Sequence, residues 1–197
     1  ASKGIGRCYA LRLADLGYNV LMVASGEDEL VATAQEVAKV NPDVWVKYLV
    51  KDLATQTAAQ EMFAYTETEG IKVDVLINNA GIFSFCDILN TPVERIERVL
   101  FLHDFTATMM CRQYATDMIE RGGGRILNMS SYSIWMPYPG LSLYSASKAY
   151  LKSFSVAFSK EVEAKGVTVT AICPAGIATD LYGLSKKLQR FGLKTGI

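Results

Sequence analysis

Short apolar runs alternate along the chain with longer stretches in which apolar residues recur at helical spacing. The apolar runs are rich in β-branched residues and predict strands at 18–24, 44–50, 73–78, 124–130 and 167–173. The periodic stretches predict helices at 6–16, 27–40, 55–69, 91–121 and 144–165. Strand and helix therefore alternate from one end of the chain to the other.

This alternation predicts an α/β fold with a doubly wound, Rossmann-type parallel sheet in three layers. Strands that are apolar on both faces need helices above and below them. A right-handed crossover requires a strand before each helix, and the helix at 6–16 has none before it. We therefore expect one dinucleotide-binding and catalytic domain over residues 1–197, with the first strand missing and with truncation at both ends.

The composition excludes several classes of function. Its 20 Lys and Arg balance 20 Asp and Glu, so no basic field is present to concentrate nucleic acid. No apolar run approaches the roughly 20 residues that span a bilayer, and no signal peptide is visible, so a cytoplasmic protein is the default expectation. The four cysteines lie far apart in apolar surroundings, which predicts buried thiols and no metal site.

The first residues, ASKGIG, match the end of a phosphate-binding turn. In such a turn the backbone N–H groups at a helix start face a pyrophosphate, and Gly4 and Gly6 fit its last two glycines. A tight structural turn explains the same spacing equally well. At the end of the next strand, Ala24 and Ser25 stand where an acid would hold a free ribose hydroxyl. Because no carboxylate stands at that point and Lys3 offers a positive charge, NADP(H) is favoured over NAD(H).

The stretch YSASK, residues 144–148, carries the clearest catalytic signal. One helical turn separates Tyr144 from Lys148, and an ammonium beside a phenol lowers the pKa of the phenol from about 10. Such a tyrosine can act as a general acid or base near neutral pH, whereas a surface Tyr and Lys is the plain alternative. Ser130, Ser131 and the NNAG stretch at 78–81 follow strands at the carboxyl edge, where parallel sheets bind ligands.

Four features of the sequence, taken in order, resemble the short-chain dehydrogenase/reductase family over almost the whole chain. They are SKGIG, NNAG, a Ser thirteen positions before YSASK, and CPAGIATD. The resemblance implies that Tyr144 exchanges a proton with the substrate oxygen and that Lys148 lowers the pKa of this tyrosine. It implies that Ser131, rather than Ser130, orients the carbonyl, and that the lysine before GIG favours NADP(H). The implied cofactor-binding residues are Ser2, Lys3, Gly4, Ile5, Gly6, Asp52, Leu53, Asn78, Ala80, Gly81, Tyr144, Lys148, Pro174, Gly176 and Thr179.

The sequence departs from the family pattern at three places. The leading Thr-Gly of the loop is missing, and Pro174-Ala175 stands where the family has Pro-Gly. About twenty-seven residues before the Ser, Asp104 stands where the family carries an Asn that helps to hold a water near the lysine. We predict that the carboxylate holds this water, or that it pairs with Lys148 and raises the pKa of the lysine. His103 is interpreted as an ordinary helical position rather than as an acid/base group.

The residues around the predicted site suggest an apolar substrate. Trp135, Met136 and Tyr138 follow the Ser, and Ile82 and Phe83 follow NNAG, so the pocket is expected to be largely apolar. Residues 139–155 are similar to the branch that acts on steroids and long 3-oxoacyl chains. A ketone, an acyl thioester or a steroid is therefore expected ahead of a sugar.

Two helices suggest further contacts. Residues after Thr179 show helical amphipathicity, which predicts a lid beginning near residue 180, with a helix resting on anionic lipid as the alternative. The helix at 144–165 is apolar nearly all round, which predicts a homo-oligomer, a dimer or a tetramer. We expect an NADP(H)-dependent oxidoreductase, and the rival hypothesis is a non-catalytic dinucleotide-binding sensor or scaffold motivated by Asp104.

Overall fold

The computed structural model describes residues 1–176. These residues fall into two compact units, one formed by residues 1–52 with Gly176 and one formed by Leu53–Ala175. The single domain predicted from the sequence stays a prediction.

The first unit contains two helices and two strands. Helix α1 spans Gly4–Asp15, strand β1 Val20–Ala24, helix α2 Glu27–Ala38 and strand β2 Val46–Val50. The two strands are parallel, with Val20 opposite Val46. The core of this unit is formed by buried side chains of both helices and β1, namely Ala10, Ala14, Val20, Met22, Leu30, Ala34 and Val37.

The second unit contains a three-stranded parallel sheet. Its elements are α3 (Ala58–Thr68), β3 (Val75–Asn78), α4 (Val93–Leu100), α5 (Ala107–Glu120), β4 (Gly124–Met129), α6 (Ser142–Val162) and β5 (Val167–Ile172). The strand order is β3-β4-β5, and short 3₁₀ helices lie at Ile88–Asn90, Tyr132–Trp135 and Glu163–Lys165. In β5, buried Val167 and Val169 alternate with exposed Thr168 and Thr170.

Parallel strands connected by helices confirm the predicted α/β class. The register brings Asn78, the last residue of β3, opposite Asn128 near the end of β4, so these strands finish at the same edge. Residues that follow β3 and β4 therefore lie at the carboxyl edge of the sheet, as parallel pairing requires.

The predicted helix at 91–121 is interrupted. Residues Phe101–Thr106 form a π-helical segment between α4 and α5. A π turn holds one extra residue, which changes the direction of the side chains after it, and such turns are frequent at functional sites. Within this segment His103 and Thr106 are buried, and Thr106 Oγ1 donates a hydrogen bond to the carbonyl of Leu53 at 2.9 Å.

The described residues also bear on the expectations from composition. No helix among residues 1–176 is long and apolar enough to cross a membrane. The expectation of buried thiols is wrong for Cys8 and Cys86, which are exposed, whereas Cys111 is buried and Cys173 is partly buried. An apolar neighbourhood in sequence does not fix burial, since one side of a helix or loop still faces water. Within the same residues no group of His, Cys, Asp and Glu could hold a metal ion.

Candidate active site

The side-chain amides of partly buried Asn78 and buried Asn128 hold the ends of β3 and β4 together. Asn78 Nδ2 donates to Asn128 Oδ1 at 2.8 Å, and Asn128 Nδ2 donates to Ser155 Oγ on α6 at 2.8 Å. Because buried polar groups are costly when unpaired, this network fixes α6 against the sheet. The predicted role of Asn78 toward the adenosine stays a prediction, since its amide group serves this internal network.

Lys148 lies at the end of β4, where two hydrogen bonds dock α6. Its Nζ donates to the carbonyl of Met129 at 2.9 Å, and Ser130 Oγ donates to the carbonyl of Lys148 at 2.7 Å. The side chain is only 3% exposed, and burial lowers the pKa of Lys148 to about 8 against the opposing influence of the Asp104 carboxylate. A buried lysine with this pKa is typical of a functional site rather than of a solvated helix face.

Tyr144 is buried beside this lysine. The phenol residue is 4% exposed, and the Lys148 Nζ lies 5.9 Å from the centre of its ring. The Phe83 ring contacts the Tyr144 ring edge-on, with 5.1 Å between ring centres, and the His103 ring contacts it with 5.9 Å between ring centres. The plain alternative, a surface pair of Tyr and Lys, is therefore wrong, because both side chains lie inside the second unit.

The structure distinguishes the two serines that follow β4. Ser130 is buried and its hydroxyl is used in the docking of α6. Ser131 caps the 3₁₀ helix at Tyr132–Trp135, where its Oγ accepts from the N–H of Ser133 at 3.2 Å. The hydroxyl hydrogen of Ser131 is not used in that bond, so it can be donated to a substrate oxygen.

His103 is not the ordinary helical position expected from the sequence. The side chain is 1% exposed and both ring nitrogens are hydrogen-bonded. Nε2 accepts from the N–H of Ile82 at 3.0 Å, and Nδ1 lies 2.9 Å from Ser147 Oγ on α6. The π-helical segment is the physical reason for the difference, since a regular helical spacing does not predict which residue of a π turn points inward.

Asp104, the next residue, is partly buried in the same π-helical segment. Its Oδ1 has no hydrogen-bond partner among the described residues. Burial raises the pKa of Asp104 to about 6, while the Lys148 ammonium acts in the opposite direction. The two side chains therefore influence each other electrostatically, but burial outweighs the effect of Asp104 on the pKa of Lys148. Both sequence-based alternatives for Asp104 stay predictions.

Gly81 lies between two of these groups. A Cβ atom at Gly81 would stand 3.3 Å from His103 Nε2 and 3.5 Å from Lys148 Nζ. The absence of a side chain at Gly81 thus lets the chain after β3 approach both residues closely. Ala80, which was also predicted to contact the cofactor, is exposed.

The predicted pyrophosphate turn belongs to the first unit. Gly4 has a φ of +52°, a conformation that favours glycine, and Gly6 is buried against the core. Helix α1 has no side-chain cap at Lys3 and no acidic residue in its first turn, so its start suits an anion. Lys3 forms an ion pair with Glu29 in the first turn of α2.

The other predicted cofactor residues are spread along both units. Partly buried residues are Ser2, Ile5, Asp52 and Leu53. The carbonyl of Pro174 accepts from the N–H of Tyr132 at 2.9 Å, and Gly176 is exposed. Thr179 and the predicted lid lie outside the described residues.

The apolar residues predicted for the pocket differ in their placement. Trp135, Met136 and Tyr138 are exposed after Ser131, whereas Ile82 and Phe83 are partly buried. Lys152 of α6 lies over the Trp135 ring at 5.2 Å from its centre. Among these residues, Phe83 contacts the Tyr144 ring.

The hydrogen-bonding residues that support the site are not among those predicted from the sequence. Ser147 stands three positions after Tyr144, so helical spacing gave a signal that both belong to the same side of α6. Asn128 and Ser155 gave no signal, because single polar residues in a strand or helix do not reveal buried partners distant in sequence.

Comparison with known proteins agrees with this geometry. The family profile described as short chain dehydrogenase matches residues 1–189. The very-long-chain 3-oxoacyl-CoA reductase of Anas platyrhynchos is 32% identical over 190 residues, which cover 94% of this chain and 60% of that protein. A fungal relative with the same description, from Pyrenophora tritici-repentis, is 31% identical, and the match covers 94% of this chain and 55% of that protein. The chain thus spans less than two thirds of these curated relatives.

Solved structures show the same likeness. A short-chain dehydrogenase from Sphingobium yanoikuyae, in complex with NADPH, is 30% identical with a TM-score of 0.87, and the match covers 93% of this chain and 71% of that one. Parallel α/β architecture, a buried Tyr144–Lys148 pair and a family profile over nearly all residues lead to one assignment. This chain belongs to the short-chain dehydrogenase family.

Proposed function

We propose that the protein is an NADP(H)-dependent oxidoreductase that interconverts an apolar carbonyl compound and its alcohol. The observation that carries this proposal is the buried Lys148 ammonium beside the Tyr144 ring, 5.9 Å from its centre. A positive charge near a phenol stabilises the phenolate and lowers the pKa of the tyrosine, as proton transfer near neutral pH requires. A purely structural pair would avoid the cost of burying the ammonium.

Three residues of the second unit have distinct roles in this proposal. Tyr144 donates a proton to the substrate oxygen during reduction and takes it back during oxidation. Lys148 stabilises the phenolate form of Tyr144. Ser131 donates its hydroxyl hydrogen to the same substrate oxygen, which orients the carbonyl and stabilises the negative charge that develops on it.

Each unit, taken by itself, carries residues that suit a part of a nicotinamide dinucleotide. The uncapped start of α1, with Gly4 and Gly6, suits the pyrophosphate, and Lys3 suits a ribose 2′-phosphate. Lys148 carries three N–H donors, of which the Met129 carbonyl takes one, so donors remain for ribose hydroxyls. When bound, the nicotinamide supplies or accepts the hydride. The NADPH held by the Sphingobium yanoikuyae enzyme supports the choice of NADP(H).

Asp104 is proposed to tune the electrostatics of the site. The Asp104 carboxylate favours the charged form of Lys148, whereas the burial of Lys148 favours its neutral form. The lysine thus stays protonated at neutral pH, as its role beside Tyr144 demands. We propose that the Asp104 carboxylate holds a water near the lysine, and an Oδ1 atom with no partner among the described residues supports this role.

The substrate is proposed to be a bulky apolar ketone or a 3-oxoacyl thioester. Exposed Trp135, Met136 and Tyr138 offer apolar surface close in sequence to Ser131. The names of relatives point the same way: one group is described as very-long-chain 3-oxoacyl-CoA reductases, and a Comamonas testosteroni structure as a bulky-bulky ketone specific alcohol dehydrogenase. That structure is 29% identical with a TM-score of 0.83, and the match covers 89% of this chain and 70% of that one.

A second copy of the chain is proposed to cover the outer face of α6. Tyr150, Phe154 and Phe158 form a row of stacked rings along this helix, with interplanar angles of 3° and 15°. Tyr150 is exposed, and its hydroxyl lies 2.8 Å from Thr108 Oγ1 on α5. A two-fold contact would bury the same row on both copies, as self-complementary interfaces do.

The direct test is oxidation of NADPH by the full-length protein with bulky ketones and 3-oxoacyl thioesters. Tyr144→Phe removes the proton donor and is expected to lower kcat by about 100-fold or more. Tyr150→Phe removes a hydroxyl from the exposed side of the same helix and is expected to leave kcat unchanged. Equal rates for wild type and Tyr144→Phe, or no turnover by either, would favour the non-catalytic dinucleotide-binding alternative.

A further inference from the structure

His103 joins three segments of the second unit through a continuous series of hydrogen bonds. The N–H of Ile82, after β3, donates to His103 Nε2 at 3.0 Å. His103 Nδ1 lies 2.9 Å from Ser147 Oγ, and Ser147 Oγ donates to the carbonyl of Tyr144 at 2.9 Å. The π-helical segment, the chain after β3 and the first turn of α6 thus meet at one buried imidazole.

This series determines the protonation of the ring. A backbone N–H can only donate, so Nε2 must be the unprotonated nitrogen. The Ser147 hydroxyl donates its hydrogen to the main-chain carbonyl of Tyr144. The Ser147 oxygen therefore accepts a hydrogen bond from His103 Nδ1–H. The neutral Nδ1–H tautomer is therefore the form that satisfies every group in the series.

An imidazole in this state has no free nitrogen for proton transfer. Both nitrogens are used by protein groups, and the ring is 1% exposed. The charged group that acts on the ring is Lys148 on α6, and the Tyr144 ring packs against it with 5.9 Å between ring centres. Asp104 is the next residue of the same π-helical segment. The Lys148 ammonium disfavours a second positive charge on the ring, so the surroundings favour the neutral form.

We propose that His103 is a positioning residue that holds the Tyr144 turn of α6 against the segment at Gly81 and Ile82. The hydrogen bond from Ser147 to the Tyr144 carbonyl fixes the main chain that carries the phenol, and the ring of His103 packs against the phenol directly. Small displacements of a reacting group cost much of the rate, so such a bridge affects turnover without contact with the substrate. This inference rests on the proposed oxidoreductase function.

The ring state can be measured without any substrate. His103 is the only histidine in these 197 residues. In protein labelled with ¹⁵N-histidine, the pair of imidazole nitrogen signals that disappears in His103→Gln is assigned to this ring. A protonated Nδ1 and an unprotonated Nε2 at pH 7 are expected. A Nε2–H tautomer or a charged ring would overturn the inference.

A double-mutant cycle tests the positioning role in the full chain. His103→Phe keeps an aromatic ring against Tyr144 without nitrogens, and Ser147→Ala removes the link to α6. Each is expected to lower kcat about tenfold with KM for NADPH nearly unchanged, and the double variant is expected to be no worse than the poorer single variant. If His103→Phe folds poorly, His103→Gln, which retains an acceptor for the Ile82 N–H, takes its place in the cycle.

Thr66→Val is the matched control. Thr66 is a buried hydroxyl residue of α3 whose Oγ1 donates to the carbonyl of Phe63 and lies 3.0 Å from the Tyr114 hydroxyl, outside the His103 series. It is expected to lower stability like Ser147→Ala but to leave kcat unchanged. Additive effects of His103 and Ser147 on kcat, or an equal loss in Thr66→Val, would overturn the positioning role. A wild type with the expected ring state but no turnover would instead overturn the proposed function on which this role rests.

Discussion

The Lys148 ammonium lies 5.9 Å from the centre of the Tyr144 ring, and both side chains are buried. The phenol therefore meets a positive charge in an environment of low polarity, where electrostatic effects are larger than in water. The hydrogen bond from Nζ to the Met129 carbonyl, at 2.9 Å, keeps the ammonium at the end of β4. The proton transfer proposed for Tyr144 thus depends on a lysine whose charge is costly for folding.

Lys148→Met is expected to raise stability while it abolishes most activity. Methionine fills the space of the lysine stem without a buried charge, so the free energy of unfolding at pH 7 should rise by about 1–3 kcal/mol. Since the pKa of Lys148 is about 8 in the folded chain and 10.5 ordinarily, wild-type stability should increase between those pH values. Urea unfolding from pH 7 to 10.5 checks both points. Lower stability of the variant would contradict the cost assigned to the ammonium.

Asp104→Asn tests the electrostatic coupling to Lys148. The Asp104 carboxylate raises the pKa of Lys148, so its replacement should lower that pKa further and shift the alkaline limb of the kcat profile to lower pH. The variant should retain kcat within about tenfold at neutral pH. Glu120→Gln, an exposed carboxylate of α5, is the control and should leave the profile unchanged. A shift to higher pH would refute the coupling.

The stability of wild type should carry the signature of a neutral His103. Burial depresses the pKa of this ring below 6.5, so the unfolded chain takes up a proton before the folded chain does. The free energy of unfolding should therefore fall below about pH 6.5, by up to about 1.4 kcal/mol per pH unit. The raised pKa of Asp104, about 6, acts in the opposite direction. The difference in free energy of unfolding between wild type and His103→Gln, measured as a function of pH, isolates the contribution of the histidine. The same pH dependence in both proteins would contradict the prediction.

Cofactor preference should respond to the ion pair between Lys3 and Glu29. Glu29 competes with a 2′-phosphate for the lysine, but exposed ion pairs contribute at most about 1 kcal/mol. Glu29→Gln should therefore tighten NADPH binding by about twofold to fivefold and leave NADH binding unchanged. Lys3→Met should weaken NADPH binding alone. Tryptophan-quenching titrations measure both, and equal changes for the two cofactors would argue against a 2′-phosphate contact.

Oligomer formation should depend on the stacked ring row of α6. Tyr150→Glu places a charge within that row and should shift the protein to monomers in light scattering after size exclusion. Val156→Glu is the control, because Val156 is exposed and lies about 200° around the helix from Phe154. An unchanged mass for Tyr150→Glu, or equal loss in both variants, would refute the interface.

The hydrophobic pattern predicted the elements well because helix and strand periods are local properties. Each strand of the described residues begins and ends within two residues of its predicted bounds. Apolar runs of β-branched residues suit a buried parallel strand in any tertiary context. The helix at 91–121 was predicted less well, because the π-helical segment at Phe101–Thr106 does not follow from periodicity.

The α/β class and the placement of Tyr144 one turn before Lys148 follow from spacing along the chain, so the amino-acid order was enough to predict both. Three features depend on the folded chain: the Ser130 hydroxyl docks α6, Lys148 is buried, and the His103 ring contacts Tyr144. Those outcomes depend on which backbone groups from distant segments come within hydrogen-bond distance. Burial and hydrogen-bond partners are properties of the packed chain, so no local pattern encodes them.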